Sequence, residues 1–185
     1  MKNMDVENYI KKPLPAEYPG LVRIWAAAVR ATHDFLREAD FQDIQARLSD
    51  TYFPAVELYG FYYPDADAAG LAGEAALSEN GLCAGFMGLS DVSEEVARKL
   101  SATGRQHTAA KQVEMLFVDP AFQRRGIGRA LLDFARRRWP CILLDVNEQN
   151  SAAARFYFKY GFETIGRSEL DGQGRPYPLL HLRCI

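Results

Sequence analysis

Apolar side chains at Leu21, Ile24, Trp25, Ala28 and Val29 recur at helical spacing, which predicts a helix over 21–31. Phe41, Ile44 and Leu48 share one face of a second predicted helix over 38–49, and ATHDFL, 31–36, lies at the break between them. The β-branched and aromatic run 56–63 predicts a strand. A further strand is expected over 82–89, although Gly81, Gly85 and Gly88 weaken the pattern. A short first strand is expected over 6–11, ahead of Pro13, Pro15 and Pro19. Residues 65–80 read as a connector of small residues. SEEVARKL, 93–100, has a Ser cap, an acidic first turn and a basic end, the signals of a short helix, and 101–111 reads as a polar loop.

From residue 112 onward the pattern is sharper. A strand over 112–118 precedes a helix over 129–139 that Pro140 stops. Residues 141–146 are apolar except for Asp145, as in a strand covered on both faces. A helix over 151–160 has Asn150 or Ser151 as its cap and Gly161 as its stop. Strands over 162–169 and 177–184 are joined by the glycine-rich stretch LDGQGRPYP. Strand–helix–strand implies a parallel pair with a right-handed crossover, and the final hairpin is antiparallel. The predicted class is therefore α/β, a mixed sheet with helices on its faces.

Composition narrows this picture only slightly. The chain has 185 residues, 48% hydrophobic and 25% charged, enough for one domain with a real core. A net charge of −2 argues against general nucleic-acid binding. No apolar run approaches the roughly 20 residues of a membrane span. The opening MKNMDVENYIKK carries no apolar signal region, so a cytoplasmic protein with no membrane partner is expected. The three cysteines, Cys83, Cys141 and Cys184, form no CxxC pair, so neither a disulfide framework nor a metal site is expected. Cys141 and Cys184 lie in apolar runs and read as buried, inert thiols.

One stretch demands chemistry. VDPAFQRRGIGRALL, 118–132, places three arginines and two glycines between a strand and a helix. Glycines weaken a helix, and crowded arginines repel unless an anion lies among them. The first N–H groups of a helix lack internal partners and sit at the positive end of its dipole. Glycine allows a tight turn and close approach, and arginine adds bidentate phosphate contacts. Together these make a phosphate cradle. Arg129-Ala130 after Gly128 exclude a P-loop, which ends in Gly-Lys-Ser/Thr. The missing third glycine and the late position of the strand exclude a dinucleotide fingerprint.

The whole stretch, Leu-Phe-Val-Asp-Pro followed by Gln-x-x-Gly-x-Gly, resembles the acetyl-CoA-binding motif of the GNAT N-acetyltransferases. NEQNSAAARFYFKYGF, 147–162, is similar to that family's second motif, and ATHDFL, VNEQN and GRSELDGQGRPYPLL are similar to one bacterial subgroup of it. The resemblance covers essentially the whole chain. It implies the acyl-CoA N-acyltransferase fold over 1–185, a mixed sheet of about six or seven strands, with two parallel strands splayed apart and about four helices. Residues 91–111 then stand as an insertion between strands.

The resemblance also assigns roles. Leu116, Phe117 and Val118 would hold the pantetheine arm of acetyl-CoA through their backbone. Arg124, Arg125, Gly126, Ile127, Gly128 and Arg129 would surround the pyrophosphate. Asn150 matches an Asn that reaches the cofactor arm, with a plain helix cap as the other reading. Tyr157 matches the Tyr that faces the cofactor sulfur, and a phenol can hand a proton to a departing thiolate at neutral pH. The usual base position falls on Gln112, which cannot take a proton. Strand alternation puts 112, 114 and 116 on one face, so Glu114 is the candidate base, directly or through water. His33, Asp34 and Tyr177 are the candidates for the acceptor side. The implied reaction is direct acetyl transfer to a primary amine of a small molecule or peptide, with no metal. An acyl-CoA-binding module without transfer is the alternative, and a homodimer is left open.

Overall fold

A computed structural model describes residues 6–63, 80–93 and 110–185. Its strands are β1 (Ile10–Lys11), β2 (Glu57–Tyr63), β3 (Leu82–Asp91), β4 (Ala110–Val118), β5 (Cys141–Asn147), β6 (Glu163–Ser168) and β7 (Leu179–Cys184). They form a seven-stranded sheet in the order β1-β2-β3-β4-β5-β7-β6. The α-helices among the described residues are α1 (Tyr18–Thr32), α2 (Glu38–Arg47), α3 (Ile127–Arg138) and α4 (Ser151–Tyr160). The sheet is mixed, as expected: β4 and β5 are parallel, while β7 is antiparallel to both β5 and β6.

Several boundaries differ from expectation. The first strand shrinks to Ile10–Lys11 because Val6–Tyr9 winds into a 3₁₀ turn. The second helix changes to a π-helical turn over Leu48–Tyr52, which buries Leu48. The last strand begins at Leu179 rather than at 177, since Pro176 and Pro178 have no N–H to donate to a ladder. The expected connector over 65–80, helix over 93–100 and loop over 101–111 fall outside the described residues but for their end residues. Ala110 and Lys111 belong to β4.

The chain divides into two compact units, Met1–Gly88 with Met115–Phe134, and Leu89–Glu114 with Ala135–Ile185. In the first, Leu21, Ile24, Trp25 and Val29 of α1 pack with Phe41 of α2, Leu58 of β2 and Phe86 of β3. Burying each such side chain contributes roughly 1.5–3 kcal/mol. Trp25 stacks on Phe41 at 5.0 Å between ring centroids. The corner between α1 and α2 is pinned from outside. The Arg30 guanidinium lies 3.7 Å from the Phe41 ring centroid and donates to Glu38 at 2.7 Å. That partner holds the exposed Glu38 carboxyl down at about 2.

In the second unit β4 and β5 run in register from Ala110–Cys141 to Val113–Leu144. Both strands continue past that register. Ile142, Leu143, Leu144 and Val146 are buried and Asp145 is not, so the polar interruption seen in the sequence marks the one open position of the strand's middle. The β6–β7 ladder shifts register between Thr164 and Gly166, leaving Ile165 as a bulge. Asp171 organises the connection between them: its Oδ1 accepts the N–H groups of Gln173 and Arg175 at 2.9 and 2.8 Å.

Candidate active site

The QRRGIG stretch lies in the first unit. Asp119 ends β4 by donating its N–H to Ala84 O at 3.0 Å, and its carboxylate accepts from Ala121 N at 2.9 Å. Two residues then turn into the left-handed region, Arg124 at φ 60° and Gly126 at φ 85°. For a residue other than glycine this costs about 1–2 kcal/mol, and such outliers cluster at binding sites. A Cβ on Gly126 would meet nothing within 4 Å, so its backbone angle, not space, calls for glycine.

α3 starts at Ile127, earlier than the sequence pattern predicts, and Ala130 N–H closes its first turn onto Gly126 O at 2.9 Å. Burial explains the difference. Ile127 is 2% exposed, whereas 123–126 are exposed. The N–H groups of Ile127 and Gly128 therefore head the helix, in the first turn, where an α-helix supplies no intrahelical acceptor. Arg129 pairs with Asp133 at 3.6 Å, and Arg125 sits 5.4 Å from the Phe122 ring centroid.

Gly85 sets the depth of this helix start. A Cβ there would lie 2.8 Å from Phe117 O, 3.2 Å from Val118 Cα and 3.3 Å from Ile127 Cγ2. Leu116, Phe117 and Val118 form the last turn of the β4 pleat, and none of them belongs to the register with β5. The Phe117 ring packs against Trp25 and Phe86.

In the second unit α4 presents Asn150 and Tyr157. Asn150 is buried, and its Oδ1 accepts from Ala153 N at 3.1 Å. The capping reading is therefore correct for its oxygen, and its amide NH₂ makes no hydrogen bond among the described residues. Tyr157 is held by the helix end. Gly161 takes φ 117° and donates to Phe158 O, while Phe162 N–H donates to Tyr157 O at 3.0 Å. This is the Schellman arrangement, and its usual apolar contact is present as Tyr157 against Phe162, 5.6 Å apart and edge to face. Burial pushes the Tyr157 phenol well above its ordinary value, so it stays protonated at neutral pH. Among the described residues no group hydrogen-bonds its hydroxyl.

The same unit contains a cavity of about 900 Å³. Its wall combines Gln112 and Glu114 of β4, Asp145 of β5, and His181 and Arg183 of β7. Strand alternation thus brings 112 and 114 together as expected, but Leu116 is not part of this wall. Glu114 accepts from the Ser90 hydroxyl at 2.6 Å. Asp145 and His181 are direct cross-strand partners, with His181 Nδ1 2.7 Å from Asp145 Oδ1. The sequence reading did not name this pair. The only local signal was the lone acidic residue in the apolar run 141–146.

The remaining candidates have other surroundings. His33 terminates α1, donating its N–H to Val29 O at 2.8 Å, and its Nδ1 lies 2.8 Å from Thr32 Oγ1. Burial lowers its imidazole below the ordinary value, so it is neutral near pH 7. Asp34 is exposed beside it. Tyr177 is buried outside β7, its N–H donating to Arg175 O at 2.8 Å. Cys141 and Cys184 are buried free thiols. Among the described residues no cluster of three His, Cys, Asp or Glu side chains could hold a metal, and no helix is long and apolar enough to cross a membrane.

Residues 75–164 match a family described as Acetyltransferase (GNAT) domain. Peptidyl-lysine N-acetyltransferase YjaB of Escherichia coli (strain K12) is 34% identical over 176 residues, 95% of this chain and 96% of that protein. The solution structure of the apo form of YjaB from Escherichia coli matches with a TM-score of 0.69 and 30% identity, covering 94% of this chain and 95% of that one. The PaiA N-acetyltransferase of Thermoplasma acidophilum, solved in complex with coenzyme A, shares the fold at a TM-score of 0.64 and 15% identity, covering 94% of this chain and 96% of that one.

Proposed function

We propose, for a chain that belongs to the GNAT acetyltransferase family, that it moves an acetyl group from acetyl-CoA directly to a primary amine of a peptide or small molecule. The observation that carries this reading is the exposed start of α3, where Arg124 and Gly126 hold left-handed backbone immediately before the first helical turn. Strained backbone at a helix head, with Arg124, Arg125 and Arg129 beside it, suits a pyrophosphate. Leu116, Phe117 and Val118 would bind the cofactor arm through their backbone, and the Asn150 amide would reach it. Bound there, acetyl-CoA supplies the thioester whose acetyl group is transferred.

Tyr157 would hold the proton that the departing thiolate takes, a role supported by the likeness to the family's second motif. Glu114, fixed by Ser90, draws the acceptor's ammonium and starts its deprotonation, directly or through water. A strand N–H near Met115 or Leu116 would polarise the acetyl oxygen. The likeness to a peptidyl-lysine acetyltransferase supports a lysine side chain as the first acceptor to try.

A thiol-release assay with acetyl-CoA and a panel of lysine peptides and small amines tests the reading. Release of CoA together with an acetylated amine is expected. Acetyl-CoA that stays intact with every acceptor, while calorimetry still shows CoA binding, would favour a binding module without transfer. Gln112, at the family's base position, is the residue that keeps this second reading specific.

A further inference from the structure

We propose that His181, oriented by Asp145, takes the proton that the acceptor amine must lose. This rests on the acetyl-transfer reading above. The two side chains stand opposite one another on antiparallel strands, so their pairing is fixed by the β5–β7 register rather than by a mobile loop. The short contact runs from His181 Nδ1 to Asp145 Oδ1 at 2.7 Å. A carboxylate only accepts, so Nδ1 carries the hydrogen and donates it. In the neutral ring this fixes the tautomer: Nε2 then has the lone pair, and among the described residues nothing hydrogen-bonds it. Both residues line the cavity that Glu114 also lines.

The ring has been given room on its other side. Gly166 is its partner on β6, and a Cβ there would approach His181 Cδ2 to 3.2 Å. The bulge at Ile165 adds the neighbouring wall of the cavity. Asp145 on one strand and Gly166 on the other thus hold the imidazole by its edge and leave its basic nitrogen available.

The chemistry requires such a group. An amine reaches the protein as an ammonium ion, since its ordinary pKa is near 10.4. It loses one proton before it can attack. As its nitrogen bonds to the acetyl carbon and the carbon–sulfur bond breaks, it loses a second. The thiolate takes one proton and solvent takes the other. A carboxylate is a weak base, whereas an imidazole holds a proton near neutral pH and can release it to water. Glu114 draws the ammonium, and His181 receives the proton as Asp145 stabilises the imidazolium. The charged groups that line the cavity with it are Asp91, Glu114, Asp145 and Arg183.

The test uses the full-length protein, acetyl-CoA and the best lysine peptide from the panel. His181→Gln is expected to lower kcat/KM for the peptide at pH 7 by about 10²–10⁴. The loss should shrink as pH rises toward 10, where the amine arrives neutral, while calorimetric CoA affinity stays the same. Asp145→Asn should lose activity in the same pH-dependent way, and it serves if His181→Gln does not fold. Ring ¹⁵N shifts supply a readout apart from turnover: His181 of the unmodified protein should show the Nδ1–H tautomer, and Asp145→Asn should lose that preference. Equal activity of both variants and the parent at pH 7, or a loss of the same size at every pH, would overturn the role of His181 alone. A parent protein that acetylates no amine would overturn the transfer reading along with it.

Discussion

A Cβ atom on Gly85 would lie 2.8 Å from the carbonyl oxygen of Phe117. The contact is with backbone, which cannot rotate away as a flexible side chain can. Gly85→Ala should therefore push β3 from the end of β4 and disturb Ile127 at the helix start. A loss of about 1–3 kcal/mol in unfolding free energy is expected, together with weaker CoA binding. Thermal unfolding and calorimetry on the one variant measure both; unchanged values of the two would break the link between this glycine and the cradle.

Gly126 and Arg124 give opposite predictions from the same backbone angle. Gly126→Ala meets no steric obstacle but must hold φ 85°, so about 1–2 kcal/mol of strain should appear with weaker CoA binding. Arg124→Gly relieves strain that already exists and should leave stability equal or slightly higher, with CoA affinity reduced by loss of the cation. Paired melting curves decide it.

Asn150 can be divided by chemistry. Asn150→Asp keeps an oxygen for the Ala153 N–H and loses the amide NH₂, so helix stability should persist while CoA affinity falls. Asn150→Ala should lose both, at about 1 kcal/mol for the cap. Equal CoA affinity in all three proteins would reduce Asn150 to a cap.

Tyr157→Phe removes one hydroxyl and keeps the ring that packs on Phe162. Turnover should fall roughly tenfold or more, with CoA affinity little changed. Rapid-quench measurement of the transfer step would show the loss there; a normal transfer rate would remove Tyr157 from the chemistry.

Cys83 predicts an alkaline response. Burial pushes its thiol from an ordinary value near 9 up to about 12. The folded protein thus holds this proton more tightly than the unfolded chain. Its contribution to stability is complete below pH 9 and disappears as pH rises toward 12. Cys83→Ala should flatten the fall in unfolding free energy between pH 9 and 11. Some slope should persist, because burial also raises the nearby Tyr62 phenol. An identical slope in parent and variant would show that the thiol ionises freely.

What the sequence made legible depended on how local each signal was. α4 and both its ends could be read directly, because Asn150 and Gly161 act on backbone within one turn of themselves. The start of α3 could not, because Gly126 and Gly128 argue against helix and only the burial of Ile127 beside Gly85 overrides them. The tight turn at Gly126 could be expected from its run of residue types, but the left-handed Arg124 beside it could not, since nothing in the residue type asks for that angle. His181 and Asp145 are 36 residues apart, and only a strand register that no periodicity reveals makes them neighbours. His33 was visible as an unusual residue at a helix break, but its surroundings are Thr32 and Phe35, the ordinary furniture of a helix end.

The donors at the head of α3 belong to the main chain, whereas the cavity of Gln112, Asp145 and His181 is lined by side chains. Inheritance acts differently on the two. A surface made of peptide groups is nearly silent to exchange of its residues, provided Gly126 keeps its angle. Every exchange in a wall of side chains alters shape or charge at once. On the reading proposed above, a lineage of such chains can explore new acceptors by single substitutions while its cofactor stays constant, and divergence among relatives should concentrate on the cavity wall.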